Sequence, residues 1–255
     1  MAQRKPFVGG NWKMNLHHDQ ATALADALAA GFKDTDKVDV VVCPAFPYLR
    51  CVANHLKKAG SAIKVGAQDF YFQGDGAFTG EVSLAMLKDV GVSVVLVGHS
   101  ERRHVIGETD VLINAKVRAA LAAGMEVILC VGEKLEQREA GQTDAINLAQ
   151  TYYGLAGVTA EQMSKITIAY EPVWAIGTGK TASTADAQNA HAAIRKALVS
   201  MYGQKVADTV RIQYGGSCKP SNAKELFGQT DIDGGLIGGA ALKAEDFMGI
   251  LNAAK

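Results

Sequence analysis

The sequence predicts an α/β fold in one domain, 1–255, whose parallel sheet either closes as a (β/α)8 barrel or spreads as a large doubly wound sheet. Three observations lead there. Short, β-branched apolar runs alternate with longer Ala-rich stretches of helical period along the chain. Several runs are continuously apolar, such as Val40-Val41-Val42 and Val94-Val95-Leu96-Val97, as parallel strands covered on both faces require. Polar and glycine-rich groups follow these runs, and their placement separates the two architectures.

Taken in order, the strand candidates are Phe7–Gly10, Val38–Cys43, Ile63–Ala67, Val92–Val97, Val127–Val131, Ile166–Tyr170, Val210–Tyr214 and Gly235–Ile237. Helical patterns lie between them, among them Gln20–Ala30, Ala115–Ala123 and Ala185–Met201. In the last, Ala190, Ala193, Ile194, Ala197 and Leu198 fall on one face. No Pro/Gly/Ser linker, low-complexity tract or charge block divides the chain, and a length of 255 residues suits one barrel. Periodicity alone leaves barrel and open sheet equal. The strand ends do not: Asn11-Trp12-Lys13, His99-Ser100-Glu101, Glu171-Pro172, Gly215-Gly216-Ser217 and Gly238-Gly239 each follow a strand. A barrel gathers these groups around one mouth, where such folds place active sites, whereas an open sheet spreads them along an edge.

Composition excludes several function classes. Lys plus Arg equals Asp plus Glu at 26 each, which gives no global field for nucleic acid or an acidic membrane. Cys43, Cys51, Cys130 and Cys218 include no CxxC pair, so small buried thiols in a reducing compartment are expected, with no disulfide framework and no structural zinc. The first residues, Met1 to Pro6, have no apolar targeting segment, and no stretch is long enough to cross a bilayer. Cytoplasm is the expected location.

Each polar residue read alone has an ordinary explanation: Lys13 a solvated lysine, His99 a buried histidine bonded to backbone, Glu171 a strand-ending carboxylate. Their joint placement at strand ends points to a site. The segments that carry them are Gly9-Gly10-Asn11-Trp12-Lys13-Met14-Asn15, Gly76-Ala77-Phe78-Thr79-Gly80-Glu81, Val97-Gly98-His99-Ser100-Glu101-Arg102-Arg103, Cys130-Val131-Gly132-Glu133, Tyr170-Glu171-Pro172-Val173-Trp174-Ala175-Ile176-Gly177-Thr178-Gly179-Lys180 and Tyr214-Gly215-Gly216-Ser217. In order and spacing, over nearly the whole chain, they resemble the triosephosphate isomerase family.

That resemblance implies a TIM barrel that interconverts dihydroxyacetone phosphate and glyceraldehyde 3-phosphate in glycolysis and gluconeogenesis, without cofactor or metal. The reaction removes a proton beside a carbonyl and returns one to the neighbouring carbon. A single carboxylate, Glu171, can do both. A neutral imidazole at His99 suits donation to both oxygens, and the family lowers its pKa with a helix N-terminus; Ser100 is the expected N-cap of that helix. Lys13 supplies positive charge for the substrate dianion and for the developing oxyanion. Asn11, two residues earlier, shares its strand face. By resemblance, Asn11 donates to the reacting oxygens and Glu101 supports Lys13. Backbone amides near Ser217, Gly238 and Gly239 are expected to hold the phosphate, joined by Gly177 when a lid closes. Pro172-Val173-Trp174 and Lys180-Thr181-Ala182 resemble the lid's hinges, with Ala175–Gly179 as its tip, and closure excludes water.

The segment Gln68–Gly80 resembles the family's dimer loop, which implies a homodimer in which Thr79 approaches Asn11 and Lys13 of the other chain. Three successive aromatics, Phe70, Tyr71 and Phe72, would be unusual on a monomer surface. Their alternative is folding back onto their own barrel. Three rival readings fail on particular residues. Gly177-Thr178-Gly179-Lys180-Thr181 mimics the end of a P-loop, but Trp174 stands where that motif needs glycine. A Schiff-base role for Lys13 calls for apolar neighbours rather than Asn11 and a phosphate site. A binding protein that has lost its chemistry would lack Glu171, His99 or Lys13, and all are present.

Overall fold

A computed structural model describes residues 4–176 and 182–255. Its strands are β1 (Phe7–Asn11), β2 (Asp39–Cys43), β3 (Lys64–Ala67), β4 (Val94–Val97), β5 (Glu126–Val131), β6 (Ile166–Tyr170), β7 (Arg211–Tyr214) and β8 (Gly234–Ile237). All neighbours run parallel in sequence order, and β1 pairs with both β2 and β8, so the sheet is a closed barrel. The register Val8↔Val40 on one side and Val8↔Gly235 on the other decides between the two architectures left open by periodicity.

The continuous apolar runs are explained by two cores. Phe7, Val41, Cys43, Val94, Leu96, Ile128, Cys130, Ala169 and Leu236 form the cluster inside the barrel. Alternate residues, including Val40, Val42, Val95, Val97, Val127 and Leu129, belong to the larger cluster under the surrounding helices. Those helices are α1 (His18–Gly31), α2 (Leu49–Lys58), α3 (Leu84–Asp89), α4 (Asp110–Ala122), α5 (Leu135–Glu139), α6 (Thr143–Gly154), α7 (Thr184–Tyr202), α8 (Gln204–Ala207), α9 (Pro220–Phe227) and α10 (Ala244–Ala253). The three expected helices are present: α1 and α7 run one or two residues further at each end, while α4 starts five residues before the expected Ala115 and stops at Ala122, one short of the expected end. α7 starts at a capping box: the Asp186 N–H donates to Ser183 Oγ at 3.1 Å and the Ser183 N–H to Asp186 Oδ2 at 3.3 Å. Its buried face holds Ala190, Ile194, Ala197 and Leu198 as expected, while Ala193 is half-buried and His191 and Arg195 join the buried set.

Several strands begin at charged residues that an apolar pattern does not mark. At the N-terminal end of the barrel, Lys64 pairs with Glu126 at 2.6 Å, and Asp39 pairs with Arg211 at 2.5 Å and with Lys5 at 2.6 Å. Charge thus collects at the bottom of the barrel in matched pairs, leaving the opposite end for the site. All four cysteines are free; Cys51 is half-buried and the others are buried. Among the described residues, no helix is long and apolar enough to cross a membrane.

Candidate active site

The C-terminal ends of the strands surround a cavity of about 740 Å³. Asn11, Lys13, His99, Glu171, Ser217, Gly238 and Gly239 all line it, drawn from the ends of β1, β4, β6, β7 and β8. Glu101 sits beside it through Lys13. Gly177, with the rest of 177–181, lies outside the described residues.

Glu171 is 2% exposed, and two donors converge on its carboxylate. His99 Nε2 lies 3.0 Å from Oε1, and the Ser100 N–H donates to Oε2 at 2.8 Å. Its close packing depends on glycines of both neighbouring strands. A Cβ on Gly132 would fall 1.7 Å from the Glu171 carbonyl oxygen, and one on Gly215 would fall 2.7 Å from Glu171 Cγ. These approaches explain why glycine follows β5 and β7. Burial pushes the Glu171 pKa up, but His99, the Ser100 amide and Lys13 outweigh it and hold the carboxyl below its ordinary value.

His99 is 6% exposed, and its Nδ1 accepts the Glu101 N–H at 3.2 Å. The network therefore assigns the hydrogen to Nε2, the nitrogen facing Glu171. The expected helix N-terminus takes another form. Ser100 contributes its backbone amide to Glu171, and the side chain that accepts from the following turn is His99 itself. That turn, Arg102–Ile106, is π-helical. The expected lowering of the His99 pKa does not hold in this arrangement. Burial does favour the neutral ring, but the adjacent Glu171 carboxylate, helped by Glu101, outweighs it and raises the pKa.

Lys13 has a φ of 53°, and its N–H donates to Asn11 Oδ1 at 3.0 Å. Its Nζ reaches Glu101 Oε1 at 2.5 Å. The lysine stem runs beside Gly238, where a Cβ would make only ordinary van der Waals contact, 3.4 Å from Lys13 Cε. Gly239 opens a 3-10 turn, Gly239–Leu242, whose first amides have no acceptor inside the turn. With the Gly215-Gly216-Ser217 loop, that turn lines the same cavity as the carboxylate and imidazole.

Sequence reading missed several supporting groups. Glu133, quoted only as part of a motif, is fully buried: Oε1 accepts from Trp174 Nε1 at 2.8 Å and Tyr170 OH at 3.2 Å. The Val173 N–H donates to its carbonyl at 3.1 Å, so Glu133 anchors the segment after Glu171. Only its place at a strand end could have marked it. Cys218 does line the cavity, but burial pushes its thiol up to about 12.

Thr79 does not reach the cavity of its own chain; it lies on an exposed stretch, 73–81. The aromatics before it divide. Phe70 is buried in its own barrel, which corrects the expectation for that residue, because its ring packs into the core with Lys116 Nζ 5.9 Å above it. Tyr71 and Phe72 are half-buried, and the Tyr71 ring makes tilted contacts with Phe72 and Phe78 at 4.9 and 4.6 Å between centroids. Met14, Phe46, Phe78 and Met86, on segments following β1, β2 and β3, are exposed.

A profile of the family described as Triosephosphate isomerase matches residues 6–254. The triosephosphate isomerase of Carboxydothermus hydrogenoformans is 56% identical over 97% of this chain and 98% of its own. That of Chlorobium phaeovibrioides is 52% identical, covering 98% and 99%, and that of Treponema denticola is 53% identical, covering 97% and 98%. With a barrel mouth that unites the family's motif residues, the chain belongs to the triosephosphate isomerase family.

Proposed function

We propose that the chain interconverts dihydroxyacetone phosphate and D-glyceraldehyde 3-phosphate through an enediol or enediolate. The observation that carries the residue assignments is the pair at the cavity floor: a buried carboxylate on Glu171 facing an imidazole whose Nε2 bears its hydrogen. The substrate enters by parting this pair. Glu171 then takes the proton from one carbon and returns it to the next, while Nε2–H serves the two oxygens in turn. When the carboxylate turns to carbon, the group that raised the His99 pKa leaves it. Glu101 still raises it, but burial, the largest cause, and Lys13 lower it, so the reacting imidazole is neutral. Lys13 and Asn11 stabilise charge on oxygen, and amides near Ser217, Gly238 and Gly239 hold the phosphate. The step moves protons within one molecule and needs no cofactor. A coupled assay that consumes glyceraldehyde 3-phosphate tests this, and a folded sample without turnover refutes it.

We further infer that two chains associate through Gln68–Gly80, with Thr79 beside Asn11 and Lys13 of the second copy. Exposed Met14, Phe46, Phe78 and Met86 on neighbouring loops support this reading, since apolar side chains grouped there need cover. Activity should disappear together with association on dilution, and a fully active monomer in ultracentrifugation refutes the cross-chain role. The free thiols fit a cytoplasmic setting.

A further inference from the structure

Lys13 holds a left-handed backbone, φ 53°, that a residue with a side chain adopts only where its surroundings impose it. Three contacts do so. Asn11 Oδ1 accepts its N–H at 3.0 Å, and Glu101 Oε1 holds its Nζ at 2.5 Å. The third comes from outside the cavity. Gln68 Nε2, on the segment after β3, donates to the Lys13 carbonyl at 2.8 Å and to the Cys43 carbonyl at 2.8 Å. Both donor hydrogens of one carboxamide are thus used to join the ends of β1 and β2.

Gln68 is itself held in place. The next residue, Asp69, is buried and pairs with Lys116 Nζ at 2.5 Å and Arg102 Nη2 at 2.8 Å. Arg102 Nε meets Glu108 Oε1 at 2.7 Å, and Lys116 Nζ also pairs with Glu108. The peptide that projects Gln68 is therefore tied to the turn next to Glu101, the residue that holds the far end of Lys13.

We propose that Gln68 is a positioning residue for Lys13: its carboxamide pins the Lys13 carbonyl in the one backbone orientation that sends the ammonium into the cavity. The inference rests on the reading of Lys13 as a substrate-binding group. Without the pin the backbone relaxes toward ordinary φ values, and the Cα–Cβ bond swings away from the mouth. The test is a double-mutant cycle on the full-length chain with Gln68→Met, which keeps the length and removes both donors, and Lys13→Met. Gln68→Met should lower kcat/KM by about 10- to 100-fold, since a displacement near ~1 Å can cost about 10²-fold. It should also raise KM and weaken glycerol 3-phosphate in calorimetry. In the Lys13→Met background the same change should alter either quantity by less than about twofold. Gln68→Glu, which turns an acceptor toward the two carbonyls, should behave alike and keeps the test open if the methionine variant folds poorly. Full, additive losses in the Lys13→Met background, or an unaffected single variant, would overturn the proposal. A parent chain without turnover, or a fully active Lys13→Met, would instead overturn the reading beneath it.

Discussion

Replacing Glu171 by glutamine tests the base and the resting network together. His99 Nε2–H and the Ser100 N–H both point at the carboxylate, which accepts both. A glutamine offers one oxygen and turns its amide nitrogen, a donor, toward the other donor. The His99 ring cannot adapt by moving its hydrogen to Nδ1, because Nδ1 accepts from Glu101. One buried donor is left unmet, a cost of about 1–3 kcal/mol. For a chain of this size that corresponds to a Tm lower by about 2–12 °C. The sign agrees with the Glu171 pKa, which is held below its ordinary value, so the folded state prefers the ionised group. This stabilisation is complete above the ordinary glutamate pKa and is lost as pH falls through the folded value. The Tm gap between parent and Glu171→Gln should therefore be widest at neutral pH and close in acid. Independently, kcat should fall by at least ~10²-fold with glycerol 3-phosphate binding changed much less. Melts across pH and a coupled assay read both. Retained turnover would show that another residue is the base, and a variant as stable as the parent at neutral pH would refute the two-donor account.

His99→Gln removes the neighbour that does most to offset burial at Glu171, so the Glu171 pKa should rise in a carbon-13 carboxyl titration; an unmoved value would contradict the pairing. Gly132→Ala places a Cβ 1.7 Å from the Glu171 carbonyl oxygen, so the backbone bearing the base must shift, and kcat should fall by about 10²-fold or more if the chain folds. Thiol titration of the native chain should find Cys51 alone accessible. Cys43 and Cys218 are buried with thiols pushed up to about 12, and Cys130 is buried and raised well above its ordinary value. Rapid alkylation at Cys218 would refute this.

The sequence by itself determined what depends on local pattern. Alternating Val-rich runs and Ala-rich stretches marked strands and helices, since side-chain period follows backbone geometry over a few residues. The placing of Asn11, His99 and Glu171 at strand ends marked the site, and family motifs assigned roles. Tertiary structure alone decided what depends on distant residues meeting. Barrel closure rests on Val8 pairing with Gly235, which no local pattern records. The placing of the His99 hydrogen on Nε2 follows from the Glu171 carboxylate and the Glu101 amide, one of them brought from another strand. Phe70 and Phe78 read alike as loop aromatics, yet the first fills the core and the second stays exposed, because burial is set by the space the packed helices leave. Gln68 shows no chemical signal in the chain; its grip on Lys13 and Cys43 exists only once three strand ends lie side by side.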